Sequence, residues 1–212
     1  MNKEEIKNFL LNEKLAGIIR SSDQDVVKNQ INTLTKDLKI IEISVINPAF
    51  EDLFIWARKN FPEHIIGIAT LLDSNQAKRA FELRPDFLVS PISDIKILEF
   101  MKDKDILFMP GACTPTEIAF LINNYAEFPL IKIFPANSLI AFQGLKKIFN
   151  KSQFAVSSFP VQDIWGFKES GVALFTLGSY FTEDLSLSSE RIKNIKSTLF
   201  QSSLCTSPIL LR

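Results

Sequence analysis

The stretch that decides the fold is LIKIFPA at residues 130–136, a short apolar run with a single lysine, Lys132, inside it. A second run, KIIEISV at residues 39–45, holds Glu42 in the same setting, with an isoleucine on either side. Successive side chains of a strand point to opposite faces. If the isoleucines face surrounding helices, Lys132 and Glu42 therefore both point into the centre of the molecule.

Working outward from these two runs, eight short apolar stretches can be counted along the chain. They lie at residues 15–19, 40–45, 65–69, 87–89, 106–109, 130–134, 154–156 and 173–177. The segments between them repeat apolar residues at three- and four-residue spacing, which is typical of amphipathic helices. These lie at residues 24–36, 50–60, 74–83, 95–102, 116–124, 139–149, 163–169 and 188–200.

Strands that alternate with helices in this way predict a parallel sheet covered by helices. Eight units in 212 residues predict an α/β fold, a small (β/α)8 TIM barrel, with an extra N-terminal helix in front of it. An open doubly wound sheet is the alternative that periodicity leaves open. With no Pro-, Gly- or Ser-rich linker to divide the chain, we expect a single barrel over residues 1–200 and a tail over residues 201–212.

Composition removes several classes of function. Twenty-four basic residues balance twenty-four acidic ones, so no charged field is available for nucleic acid. The apolar runs are far shorter than the ~20 residues of a membrane helix, and the N-terminus lacks the pattern of a signal peptide. We therefore expect no membrane association and a cytoplasmic protein. Two distant cysteines and one histidine leave no metal-binding spacing, so no metal and no cofactor are expected.

The two inward charges and Arg20, which closes the first apolar run, need a reason to be buried. One interpretation is a structural Glu–Lys pair with Arg20 as an ordinary strand-end residue. The other is a Schiff-base enzyme, because an amine attacks a ketone only when neutral, and a dry pocket with a nearby cation lowers the pKa of a lysine. A carboxylate beside the amine would then serve as the base.

Six segments of the chain also carry a family resemblance. They are IIRS (18–21), IEIS (41–44), IGIAT (66–70), VSP (89–91), MPGACTPTE (109–117) and IKIFPA (131–136). In this order they resemble the 2-keto-3-deoxy-6-phosphogluconate / 4-hydroxy-2-oxoglutarate aldolases, class I pyruvate aldolases that are (β/α)8 barrels and usually trimers. The resemblance implies a lyase that cleaves such a keto acid to pyruvate and an aldehyde, and it implies a homotrimer.

Carried over by position, the resemblance implies that Lys132 forms the Schiff base and that Glu42 is the general acid and base. Thr70 would hydrogen-bond the pyruvyl group, while Pro91 and Phe134 would shape the pocket. Arg20 matches an arginine that some members of the family place at the end of the first strand, where it holds a carboxylate or phosphate.

The phosphate end departs from the family. Where members carry Thr-Gly-Gly after the seventh strand, this chain reads VSSFPV at 156–161, with a bulky Phe159 and with Pro160, which has no N–H to donate. The loop after the eighth strand, usually Gly-x-Gly-Ser, reads TLGS at 176–179. Only seven glycines occur in the chain. We expect a degenerate phosphate site whose remaining candidates are Ser158, Gly178 and Ser179.

Three functions stay open at this point. The first is a working class I aldolase that prefers an unphosphorylated or unusual aldehyde partner. The second is an aldolase-like barrel that no longer turns over and serves as a binding or regulatory protein. The third is another phosphate-using barrel, such as an epimerase or a synthase of the tryptophan pathway, which would not explain the Phe-Pro-Ala segment after Lys132.

Overall fold

The computed structural model describes residues 1–201. The predicted tail at residues 201–212 therefore lies, apart from its first residue, outside the described residues. The strands are β1 (Leu15–Ile19), β2 (Ile40–Ser44), β3 (Ile65–Ala69), β4 (Phe87–Val89), β5 (Leu107–Met109), β6 (Gly111–Ala112), β7 (Leu130–Ile133), β8 (Gln153–Ser157) and β9 (Leu174–Leu177).

These strands form one parallel sheet in the order β5-β4-β3-β2-β1-β9-β8-β7-β6. The two ends of that order, β5 and β6, are consecutive pieces of the predicted fifth strand, divided at Pro110, which has no N–H to give to a ladder. The carbonyl of Pro110 still accepts a hydrogen bond from the backbone N–H of Lys132, at 2.8 Å. The sheet is therefore a nearly closed barrel, which confirms the predicted (β/α)8 fold and not the open sheet.

The helices alternate with the strands as predicted. Within residues 1–201 they are α1 (Lys3–Glu13), α2 (Gln24–Leu34), α3 (Phe50–Asn60), α4 (Ser74–Glu82), α5 (Ile95–Met101), α6 (Pro115–Asn124), α7 (Leu139–Ile148), α8 (Ile164–Glu169), α9 (Ser179–Thr182) and α10 (Ser188–Phe200). The four-residue α9 was not predicted. Several helices follow an N-cap residue whose side chain accepts a hydrogen bond from a backbone N–H of the first turn. These residues are Asp23, Asp73, Asp94, Thr114 and Ser138.

The barrel interior is divided into an apolar lower part and a polar upper part. The inward residues near the N-terminal ends of the strands are apolar, and α1 packs Ile6 and Leu10 against them, which closes that end of the barrel. Gly67 makes room there for a ring, since a Cβ at this position would lie 2.4 Å from the Phe87 side chain. The buried polar side chains Glu42, Lys132 and Thr176 lie farther along their strands, toward the C-terminal ends. The upper end is therefore where chemistry can take place.

Candidate active site

Two buried charged groups meet inside the barrel. The Lys132 Nζ on β7 lies 3.0 Å from the Glu42 Oε2 on β2, and the amine donates a hydrogen bond to that oxygen. Only 3% of Lys132 and none of Glu42 is exposed to solvent. Both residues sit between outward-facing isoleucines that pack in the outer core, which is the alternation that directs the charges inward.

The surroundings of Lys132 lower its pKa. Burial lowers the pKa of Lys132 below its ordinary value, because the charged ammonium loses its hydration. The Glu42 carboxylate acts in the opposite direction, and the positive charge of Arg20 lowers the pKa further. A nucleophilic amine requires a lysine whose pKa is lowered and a nearby carboxylate that can take its proton, and both are present here.

Above the pair, a small cavity opens at the C-terminal ends of the strands. It has a volume of about 10 Å³ and is lined by Ile18, Arg20, Ala69, Thr70, Val89, Pro91, Lys132 and Phe134. The Arg20 guanidinium lies 5.8 Å from the centroid of the Phe134 ring, so a cation stands against an aromatic wall at the mouth. The structure thus brings Arg20, Thr70, Pro91 and Phe134 together over Lys132.

Two backbone features hold this lining in place. Thr70 follows β3 with a φ of 71°, a left-handed conformation that is rare for a β-branched residue and costs about 1–3 kcal/mol. Its hydroxyl oxygen accepts a hydrogen bond of 3.0 Å from Ser44 Oγ. Opposite, the backbone of Pro91 approaches so closely that a Cβ on Gly111 would lie 2.1 Å from the Pro91 carbonyl carbon. Only glycine fits there.

Comparison with known proteins decides the family. The family model for KDPG and KHG aldolase matches residues 6–197. The chain belongs to this aldolase family. A curated relative, the 2-dehydro-3-deoxy-phosphogluconate aldolase of Haemophilus influenzae, is 28% identical over 136 residues. That alignment covers 64% of this chain and 62% of the relative's length.

Solved structures share the barrel of this family member. A 2-keto-3-deoxy-6-phosphogluconate aldolase of Zymomonas mobilis ZM4, with 3-phosphoglycerate, superposes with a TM-score of 0.79 at 16% identity, covering 94% of this chain and 98% of the other. A KDPG aldolase of Legionella pneumophila, with pyruvate captured as a covalent carbinolamine, has a TM-score of 0.72 at 14% identity and covers 92% and 96% of the two chains. At these identities the likeness establishes the fold.

One polar neighbour of the pair was missed in the sequence. Thr176 on β9 donates a hydrogen bond of 3.3 Å to Glu42 Oε1, and its side chain is buried with only 1% exposed. In the sequence, residue 176 is predicted to belong to a degenerate phosphate loop. The available signal was alternation, since Leu174 and Thr176 share one face of β9, and Leu174 belongs to the inner core.

The three phosphate-site candidates of this family member are not among the residues that line the cavity. Ser158, which has a φ of 58°, and Ser179 are exposed after β8 and β9, and Gly178 begins the short helix α9. Phe159 is not among the lining residues either, and its ring is buried between Phe167 and Phe175 at centroid distances of 5.4 and 5.5 Å.

A larger cleft lies at the N-terminal end of the barrel, between α1 and residues 81–86, and shares no lining residue with the cavity over Lys132. Over residues 1–201, no cluster of three or more His, Cys, Asp or Glu residues is arranged to hold a metal ion. In the same part of the chain, none of the helices has the length and apolar character needed to cross a membrane.

Proposed function

We propose that the protein is a class I aldolase that cleaves a 2-keto-3-deoxy or 4-hydroxy-2-oxo acid, reversibly, to pyruvate and an aldehyde. The observation that carries the proposal is the contact of 3.0 Å between the buried Lys132 Nζ and Glu42 Oε2 inside the barrel, beneath a cavity lined by Arg20. Family membership and the covalent pyruvate adduct described for the Legionella pneumophila relative support the same chemistry. They do not favour a protein that only binds.

The first stage is Schiff-base formation. Glu42 takes a proton from the Lys132 ammonium, and the neutral amine attacks the ketone carbon of the keto acid. The carbonyl oxygen is protonated by Glu42, which then takes the second proton from the nitrogen, leaving a carbinolamine. When Glu42 returns that proton to the hydroxyl group, water leaves and a protonated imine remains on Lys132. Two protons move from nitrogen to oxygen in total, and Glu42 ends as a carboxylate.

The second stage is cleavage of the carbon–carbon bond. The Glu42 carboxylate takes the proton of the C4 hydroxyl, the C4 carbonyl forms, and the C3–C4 electron pair moves into the imine to give an enamine. The aldehyde departs. Glu42 then protonates C3, and attack of water on the resulting imine releases pyruvate and restores the Lys132 ammonium. A single carboxylate within reach of the amine is enough for every proton transfer.

The lining residues would hold the substrate. The fork of donors on Arg20 suits the carboxylate of the keto acid, and the Thr70 hydroxyl suits the pyruvyl oxygen atoms. Pro91 and Phe134 would exclude water from the imine. These roles follow from the resemblance and from the shared cavity.

We also propose that the aldehyde end does not require a phosphate. Pro160 offers no N–H in the loop after β8, and the side chains of Ser158 and Ser179 are exposed outside the cavity lining. Ser158, Gly178 and Ser179 would then touch only the far end of a substrate. Parallel assays of phosphorylated and unphosphorylated 2-keto-3-deoxy acids test this. We expect kcat/KM values within about tenfold of each other, a difference of about 1.4 kcal/mol, and a larger preference for phosphate would contradict the proposal.

Trapping with pyruvate tests the catalytic lysine. The protein is incubated with pyruvate, reduced with borohydride and digested, and the adduct is located by mass spectrometry. We expect the adduct on Lys132. Lys146 is an internal control, because burial also lowers its pKa, yet it donates hydrogen bonds to the carbonyls of Asn150 and Ser152, away from the cavity. Absence of an adduct on folded protein would favour the non-catalytic alternative.

We extend the proposal to the quaternary structure and the cellular location. By resemblance, the protein would be a homotrimer that acts in the cytoplasm in carbohydrate metabolism. Light scattering of the purified protein tests the assembly, with an expected mass about three times that of the 24.0 kDa chain. A monomer under the same conditions would contradict the trimer.

A further inference from the structure

The carboxylate of Glu42 is held from both sides. Its Oε2 accepts the hydrogen bond of Lys132 Nζ at 3.0 Å, and its Oε1 accepts the hydrogen bond of Thr176 Oγ1 at 3.3 Å. A carboxylate has no proton to give, so the threonine hydroxyl must be the donor. Each carboxylate oxygen therefore has one protein donor in the described part of the chain.

Thr176 reaches Glu42 because of the strand order. β9 lies next to β1, and β1 lies next to β2, so Thr176 and Glu42 point into the same interior with one strand between them. The register places Thr176 beside Ala16 on β1 and beside Ser157 on β8. A β-branched side chain has few χ1 rotamers, and a buried strand position restricts them further. The hydroxyl is thus a fixed donor.

A fixed donor matters for a carboxylate that transfers protons. The terminal torsion of glutamate is broad, so a carboxylate bonded on one side only can turn and exchange its two oxygens. General acid–base catalysis depends on holding the reacting oxygen within hydrogen-bond reach of the proton it moves. We propose that Thr176 is a positioning residue for Glu42, whose hydroxyl anchors Oε1 so that Oε2 stays directed at Lys132 and at the atoms bound to it.

This role rests on the proposed aldolase function, and a partial reaction of pyruvate alone tests both without knowledge of the aldehyde. In D2O, the imine of pyruvate on Lys132 loses a C3 proton to Glu42, and the enamine takes a deuteron back. The methyl signal of pyruvate in a proton NMR spectrum measures this exchange. Borohydride trapping on the same samples reports whether the imine forms.

Three variants of Thr176 separate the hydroxyl from the shape of the side chain. Thr176→Val keeps the branched shape and removes the donor, Thr176→Ala removes both, and Thr176→Ser keeps the donor. The matched control is Thr35→Val, because Thr35 is also buried and its hydroxyl donates a hydrogen bond to the Ile31 carbonyl in the last turns of α2, on the outside of the sheet. Thermal unfolding of each variant shows that it is folded.

We expect Thr176→Val to lower the exchange turnover number by about tenfold, with the half-saturating pyruvate concentration changed by less than about twofold. If Thr176→Val fails to fold, Thr176→Ala should show the same loss of turnover. Thr176→Ser should recover most of the rate, and Thr35→Val should match the wild type.

Several outcomes would overturn the positioning role. An unchanged turnover number in Thr176→Val would do so, as would equal losses in the serine and valine variants, since packing and not the hydroxyl would then be responsible. A wild-type protein that neither traps nor exchanges pyruvate would instead remove the proposed aldolase function and the role of Thr176 with it. If the wild type both traps and exchanges pyruvate while the Thr176 variants keep the wild-type turnover number, only the positioning role of Thr176 is removed.

Discussion

Lys132 and Glu42 are 90 positions apart in the chain, yet their charged atoms lie 3.0 Å apart inside the barrel. Three strands, β1, β9 and β8, stand between β2 and β7 in the sheet, so the two side chains meet across the interior and not along the wall. Removing one member of such a buried pair leaves the other without its partner. Without Glu42, Lys132 loses the partner that raises its pKa, so its ammonium releases a proton more readily.

Glu42→Gln should separate binding of pyruvate from turnover. An amide cannot exchange protons with the substrate, so we expect kcat of cleavage to fall by about 10²–10⁴-fold. The adduct with pyruvate should still accumulate on Lys132, because loss of the carboxylate removes the influence that raises the pKa of the lysine. It should form more slowly than in the wild type, because Glu42 also serves the proton transfers of imine formation. Steady-state assays and borohydride trapping measure the two effects. A variant with most of the wild-type turnover would exclude Glu42 as the acid and base.

Arg20→Met should shift the pH dependence of adduct formation. The neutral fraction of an amine grows as pH rises through its pKa, and the Arg20 charge lowers the pKa of Lys132. Without that charge the pKa rises, so the midpoint of the rate profile at saturating pyruvate should move to higher pH. Arg79→Met is the control, since Arg79 pairs with Glu51 on the outside of the barrel. A midpoint unmoved in both variants contradicts the electrostatic effect.

Phe159→Ala should destabilise the protein strongly. Only 7% of Phe159 is exposed, and its ring packs against those of Phe167 and Phe175. Truncation of a buried phenylalanine costs about 3–5 kcal/mol in the free energy of unfolding. Phe200→Ala, at a residue that is 55% exposed, should cost less than about 0.5 kcal/mol. Denaturant unfolding of the pair checks this, and equal costs would show that the ring does not anchor the loop.

Gly67→Ala should also be destabilising, through excess volume. The new methyl group would lie 2.4 Å from the Phe87 ring inside the barrel, and overpacking of a core costs about 1–3 kcal/mol. Gly144→Ala should instead raise the free energy of unfolding. Nothing lies within 4 Å of the new atom on α7, and alanine stabilises a helix over glycine by about 0.5–1 kcal/mol. If both variants unfold at the same denaturant concentration, the interior has more room than the structure indicates.

The fold could be predicted because its signal is local. Short apolar runs and amphipathic segments repeat along the chain, and helix starts such as Asp23 and Thr114 carry their own caps. What local patterns could not predict is the division of the fifth strand at Pro110, which depends on how β7 continues the sheet across the gap. The four residues of α9 are too few for any periodicity to be visible.

The site was predictable only in part, for a related reason. A charge between isoleucines, as at Lys132 and Glu42, contradicts its own pattern and is therefore noticeable. Thr176 contradicts nothing, since threonine is common in strands, and its partner Glu42 is distant in the chain. The inward packing of Phe159 likewise depends on Phe167 and Phe175, which only the folded chain brings beside it.

The closure of one end of the barrel by Ile6 and Leu10 of α1 determines the order of events in an aldolase built this way. With that end closed, the opening beside Arg20 and Phe134 is the route by which substrates of the proposed reaction would reach Lys132. Pyruvate held on Lys132 would then lie below the aldehyde. The aldehyde would leave first in cleavage and bind second in synthesis, which is an ordered kinetic mechanism.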